Sequence, residues 1–148
     1  YAMLADYLND QNIHICDSVA DWQQAITLSG DPLLKQGIIT QRYIDEIIAE
    51  HGRTGPYYVL APGVAMPHSR PENGSVGVGL SLLVIKQGVD FGSTDNDPVK
   101  VIFFLAAKDA DSHISLISSL AELLDEEENI DLLATGNRET IIEVINRY

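Results

Sequence analysis

Val99-Lys100-Val101-Ile102-Phe103-Phe104-Leu105-Ala106-Ala107 is an apolar run broken by a single charge. A strand with one wet face alternates apolar and polar residues, whereas this run predicts a strand covered on both faces, the central strand of a sheet with helices above and below. The turn-rich stretch Gly92-Ser93-Thr94-Asp95-Asn96-Asp97-Pro98 delivers the chain into it. Upstream, Val76, Val78, Leu80, Leu82 and Val84 alternate with Gly77, Gly79, Ser81, Leu83 and Ile85. That predicts a strand from Val76 to Ile85 with one apolar face and one partly small face, open to close approach by another element. Tyr57 to Leu60 is a shorter β-prone run, and another apolar run leads into Cys16.

Between and after these strands the apolar period becomes helical. Asp17 and Ser18 are placed to cap a helix carrying Val19, Trp22, Ala25 and Ile26, with Ser18 and Asp21 at capping-box spacing. Asp31-Pro32 either starts a second helix or kinks the first, and Gly37 ends it. Thr40 caps a helix with Ile44, Ile47 and Ile48 on one face and Gly52 just past its end. Two further helices are expected, Ser112 to Leu124 and Arg138 to Arg147, with Asp125-Glu126-Glu127-Glu128 starting a short turn or loop between them. The order of elements implies an α/β sandwich of helices around a mixed sheet.

With 148 residues, 45% of them hydrophobic and 21% charged, the chain suits one domain with a core that needs no disulfide or metal. That domain is expected to span 3–148, with Tyr1-Ala2 ahead of Met3 as additional residues. No apolar run approaches the ~20 residues of a membrane span, so direct membrane insertion is not expected. A lone Cys16 and no signal-peptide pattern point to the cytoplasm. The formal charge of −13, from 9 basic and 22 acidic residues, excludes nucleic acid as a partner, because phosphate backbones demand clustered Lys and Arg.

The chemistry-bearing residues lie in the loop Ala61-Pro62-Gly63-Val64-Ala65-Met66-Pro67-His68-Ser69-Arg70-Pro71-Glu72. Its prolines fix φ and push Met66 and Arg70 towards extended backbone, so His68 is expected on a stiff, solvent-facing bend. His113 falls in the first turn of the helix after the buried strand, in the middle of the stripe Leu116, Ile117, Leu120, Ala121 and Leu124, and is therefore expected to face inward. It also stands just past a strand's carboxyl end and at a helix N-terminus, where α/β proteins bind anions. Together the two histidines suit phosphoryl chemistry. A neutral imidazole attacks phosphorus through one ring nitrogen if the other keeps its proton and is held by a backbone acceptor. His113, Arg70 and loop amides would then meet the phosphoryl oxygens. His14 and His51 lie at element ends and read as structural, and Cys16 as a small core residue.

Other chemistries fit less well. A metal-dependent hydrolase would draw on His68, His113 and an aspartate, yet there is no His-Glu-x-x-His and no short-spaced ligand pair. No Gly-x-Ser-x-Gly elbow supports a serine hydrolase. The glycines from Gly74 to Gly79 open no helix and make no dinucleotide fingerprint.

The stretch Gly55-Pro56-Tyr57-Tyr58-Val59-Leu60-Ala61-Pro62-Gly63-Val64-Ala65-Met66-Pro67-His68-Ser69-Arg70-Pro71-Glu72 resembles the signature around the phosphorylated histidine of enzyme IIA in the bacterial sugar phosphotransferase system. The wider likeness is to the mannitol and fructose class, the nearer one to its ascorbate branch. Asp95-Asn96-Asp97-Pro98-Val99, the His113 region and Asp125-Glu126-Glu127-Glu128-Asn129 extend it over nearly the whole chain. The resemblance implies a mixed sheet flanked by helices on both faces, a three-layer sandwich like mannitol-class enzyme IIA. It implies that His68 takes a phosphoryl group from the histidine-containing phosphocarrier protein and passes it to a cysteine of enzyme IIB, which serves the membrane enzyme IIC, for ascorbate uptake. It implies no cofactor and no metal. His113 matches the family's second active-site histidine, and Arg53 is the candidate for its upstream arginine. Two departures stand out: Gly52-Arg53-Thr54-Gly55 is longer than in ascorbate members, and Ser69 occupies a position where glycine is commoner. A regulatory phosphohistidine domain not coupled to transport remains a second reading of the same residues.

Overall fold

The computed structural model describes residues 4–148, so the expectation for Tyr1-Ala2 lies outside the described residues. The elements in chain order are α1 (Leu4–Tyr7), β1 (Ile13–Cys16), α2 (Trp22–Lys35), α3 (Gln41–Thr54), β2 (Val59–Ala61), β3 (Val64–Ala65), β4 (Gly79–Val89), β5 (Val99–Ala106), α4 (Ala110–Leu124), α5 (Glu127–Thr135) and α6 (Arg138–Ile145). Short 3-10 turns cover Asp10–Asn12 and Pro71–Asn73. The strands form one sheet in the order β1-β4-β5-β3-β2. It is mixed: β1 runs parallel to β4 and β3 parallel to β5, while β4 with β5 and β2 with β3 are antiparallel.

The sheet is covered on both sides, as expected. In β5 every residue but Lys100 is buried, and its alternation divides the core in two. Val101, Phe103 and Leu105 pack with Leu116, Leu120, Leu133 and Ile141 beneath α4 to α6. Ile102, Phe104 and Ala106 pack with Ile26, Leu33, Tyr43, Ile44 and Ile47 of α2 and α3. Helix α2 approaches β5 closely because Gly30 has no side chain; a Cβ there would lie 2.9 Å from the Phe104 ring.

Several boundaries differ from the sequence reading, each for a local reason. Helix α2 starts at Trp22, capped by Asp21 rather than by Asp17-Ser18, because the Asp21 carboxylate accepts from Gln24 N–H at 2.9 Å. It carries Asp31-Pro32 inside its final turns, so no second helix starts there, and Gly37 follows its end at φ +74. Helix α3 runs through Gly52 to Thr54; the residue past its end is Gly55, at φ +90. Strand β4 begins at Gly79 rather than Val76, since the amides of Val76 and Gly77 bond to Ile38 O instead. The small residue there does admit a neighbour: a Cβ on Gly79 would lie 2.9 Å from Leu33 Cδ2. The acidic stretch leads into α5, a full helix with acidic residues in the first turn and Leu133 buried. Strand β3, at the root of the His68 loop, was not expected.

Gly30→Val would force a branched side chain against Phe104, and overpacking of this kind costs about 1–3 kcal/mol. Urea denaturation should show a lower midpoint with an unchanged slope; an unaltered midpoint would contradict the close approach of α2 to β5.

Candidate functional site

Parallel pairing of β3 with β5 points both strands the same way, in the register Val64 with Val101 and Ala65 with Ile102. The chain leaving β3 therefore runs on beside the last residues of β5. The chain leaving β3 reaches His68 three residues later, and the chain leaving β5 enters α4 with His113 in its first turn. The two rings meet with centroids 5.4 Å apart at 59°. Leu105 N–H donates to Pro67 O at 3.0 Å and ties the His68 loop to the end of β5.

His68 is half-buried, and its Nδ1 lies 2.7 Å from Met66 O. A carbonyl can only accept, so Nδ1 carries the proton and Nε2 presents a lone pair. The sequence argument required this arrangement of a nucleophilic imidazole. Two tyrosines hold the backbone on either side of the bond after it. The Tyr57 hydroxyl donates to His68 O at 2.7 Å, and its ring meets the imidazole edge-on with centroids 5.9 Å apart. Tyr43 Oη accepts from Ser69 N–H at 3.0 Å, and its own proton is directed at Leu105 O (2.9 Å) and Ser69 O (3.2 Å). Burial pushes both phenols up to about 12, so at neutral pH they remain donors.

His113 is half-buried and lines the cleft rather than the core, which corrects its expected inward orientation. The buried stripe of α4 is Leu116, Leu120 and Leu123, whereas Ala121 is exposed. Asp109 caps the helix by accepting from Ser112 N–H at 2.8 Å. Desolvation, and second the neighbouring His68, lower the pKa of His113, which favours the neutral ring.

Around the histidines is an open cleft of about 1080 Å³, lined by Glu46, Glu50 and Arg53 from α3, by Tyr57, by the His68–Asn73 segment, and by Lys108, Asp109 and His113. Both arginines singled out from the sequence line it. Arg70 is exposed at the rim. Arg53 is held on Glu50 at 2.6 Å with Glu46 at 3.6 Å, so its charge is already engaged by carboxylates. His14 lies outside the cleft, exposed with Nε2 3.0 Å from Gln11 O. His51 is buried with Nδ1 2.6 Å from the Tyr58 hydroxyl and stacked on Trp22 at 3.7 Å, a packing role. Among the described residues no group of three or more His, Cys, Asp or Glu side chains could hold a metal ion, so the hydrolase alternative lacks a ligand set there. Also among them, no helix is long and apolar enough to cross a membrane.

Tyr43, Tyr57, Asn73, Glu46 and Glu50 were not anticipated as site residues. Tyr43 falls among the apolar positions of α3 and reads as core; the only signal for Tyr57 is its place beside Tyr58 in a β-prone run.

Comparison with known proteins gives a consistent result. A family model described as phosphoenolpyruvate-dependent sugar phosphotransferase system, EIIA 2, matches residues 6–148. The mannitol-specific cryptic phosphotransferase enzyme IIA component of Escherichia coli (strain K12) is 45% identical over 97% of this chain and 98% of its own. The ascorbate-specific PTS system EIIA component of the same strain is 35% identical over 93% of this chain and 91% of its own. The solution structure of the mannitol-specific cryptic enzyme IIA from Escherichia coli superposes with a TM-score of 0.92 at 43% identity, covering 99% of this chain and 100% of that one. Enzyme IIA in the Escherichia coli complex of the mannitol enzyme IIA with phosphorylated enzyme IIB gives a TM-score of 0.82 at 26% identity, over 95% of this chain and 97% of that one.

The geometry of the two rings predicts their nitrogen chemistry. Long-range ¹H–¹⁵N spectra at pH 8 should show His68 as the Nδ1–H tautomer, and an Nε2–H form would contradict the Met66 bond. His113 should gain its proton below the ordinary histidine value of about 6.5. His68→Ala removes the charge that opposes it, so the His113 midpoint should rise.

Proposed function

The chain belongs to the phosphoenolpyruvate-dependent sugar phosphotransferase system EIIA 2 family, and on that footing we propose that it is a phosphoryl carrier whose acceptor atom is His68 Nε2. The donor is the phosphorylated histidine-containing phosphocarrier protein. The Nε2 lone pair forms the new N–P bond as the donor's P–N bond breaks, and the donor imidazole leaves with its own ring proton. The Nδ1 proton of His68 stays on the ring, donated to Met66 O, throughout, so no general base is required. The single observation that supports this reading is the pairing of a backbone-anchored His68 with His113 at 5.4 Å in an open cleft. The open cleft also meets the requirement that the ring be reachable by a visiting protein.

His113 acts on the phosphoryl oxygens. Its neutral ring donates one N–H to the transferring group without opposing the approach of His68, and it gains affinity for a proton as negative charge arrives. Arg70 stands free at the rim to meet phosphate or partner, whereas Arg53 has to leave Glu50 before it does either. The phosphoryl group then moves to a cysteine thiolate of enzyme IIB, which forms the S–P bond as the His68 N–P bond breaks. Enzyme IIB serves the membrane enzyme IIC, and the carrier works in the cytoplasm without touching sugar. The 45% identity with a mannitol-specific component against 35% with an ascorbate-specific one favours a mannitol-type cargo over the ascorbate first expected.

Incubation with the phosphorylated phosphocarrier and mass mapping of the acid-labile adduct tests the proposal. His68→Ala should take no label while its thermal midpoint stays unchanged; retained labelling refutes the assignment. His113→Ala should still be labelled but on the order of 10²-fold more slowly, the effect of removing one preorganised donor. An unchanged rate would return His113 to a structural role. Labelled protein that does not pass its phosphoryl group to enzyme IIB would favour the regulatory reading.

A further inference from the structure

Ser69 follows the acceptor histidine, half-buried in the same cleft. Three of its polar capacities are taken. Its N–H donates to Tyr43 Oη at 3.0 Å, its C=O receives the Tyr43 hydroxyl at 3.2 Å, and its Oγ accepts from Asn73 Nδ2 at 2.9 Å. Among the described residues, the hydroxyl proton has no acceptor.

We propose that Ser69 is a further phosphoryl-contacting residue, its Oγ–H donating to a peripheral oxygen of the group carried on His68, with Asn73 as the positioning residue that holds Oγ in place. This rests on the carrier reading above. A serine hydroxyl ordinarily turns its proton to a nearby backbone carbonyl. Here Tyr43 pins the Ser69 backbone from both sides, and the Asn73 amide can only donate to Oγ, so it directs the Ser69 proton elsewhere. The peripheral oxygens of a phosphoryl group are anionic and need donors, and hydrogen bonds to charged acceptors are about twice as strong as neutral ones. Glycine at this position would supply none. The Ser69 hydroxyl would thus add one donor to the cleft that also holds His113.

The test uses the full chain and the phosphorylated phosphocarrier, with Ser69→Ala, Ser69→Thr and wild type compared. Ser69→Ala should accept the phosphoryl group about tenfold more slowly, the scale of one hydrogen bond to a charged group. Ser69→Thr keeps the hydroxyl and should stay within about threefold of wild type. A second readout follows the ³¹P resonance of the phosphohistidine against pH. A donor on the phosphoryl oxygens favours the dianion, so Ser69→Ala should move the titration midpoint upward by about half a unit or more, and Ser69→Thr should restore it. Equal rates and equal midpoints in wild type and Ser69→Ala, with both labelled on His68, would overturn this inference and leave the carrier reading standing. Slowing by both substitutions with an unmoved midpoint would also overturn it, assigning Ser69 to loop structure. A wild-type chain that takes no label at His68 would overturn both.

Discussion

Two parallel residue pairs, Val64 with Val101 and Ala65 with Ile102, are the constraint on which the site depends. An antiparallel β3 would send the His68 loop to the far end of the sheet, away from the start of α4. Parallel pairing instead carries the chain leaving β3 on beside the last residues of β5, and each strand leads to one histidine. The pairing is secured from within, because β5 is buried on both faces and both residues of β3 are buried against it. Slipping such a strand by one position would drive its side chains onto the wrong face. The core thus holds the distance between the two rings, although neither ring belongs to the core.

Above that frame the site is stiffened by hydrogen bonds directed at main-chain atoms. Met66 O anchors the His68 imidazole, Tyr57 holds the His68 carbonyl, and Tyr43 binds the amide and carbonyl of Ser69. In the proposed role, an imidazole positioned this way would spend little of the reaction barrier on finding its orientation. The phenols suit the task because burial keeps them protonated across the physiological range. On the opposite wall, α3 brings Glu46 and Glu50 to Arg53 and keeps the positive charge of that wall occupied. Exposed pairs of this kind contribute little to stability.

Much of this was legible in the chain. The unbroken apolar run from Val99 required a strand covered on both sides, and that alone implied helices above and below. The prolines on either side of His68 marked the loop that carries it, and the first-turn place of His113 marked the helix end that meets that loop. What local pattern could not supply was partnership between distant segments. Strand β3 is two residues long, too short for periodicity, and Gly52 looks like a helix stop until Gly55 is seen to carry the positive φ. His113 lay on the apolar stripe of α4 by angle, yet it is half-buried and lines the cleft. Tyr43 reads as core because it is core, at 1% exposure, and only its hydroxyl reaches the loop.

The central claim is that His68 keeps its proton on Nδ1 and reacts through Nε2. Phosphorylating ¹⁵N-histidine-labelled protein and recording the nitrogen–phosphorus coupling reads this directly. The structure predicts coupling to His68 Nε2, with the Nδ1 proton still present. Coupling to Nδ1, or to any other histidine, would contradict it.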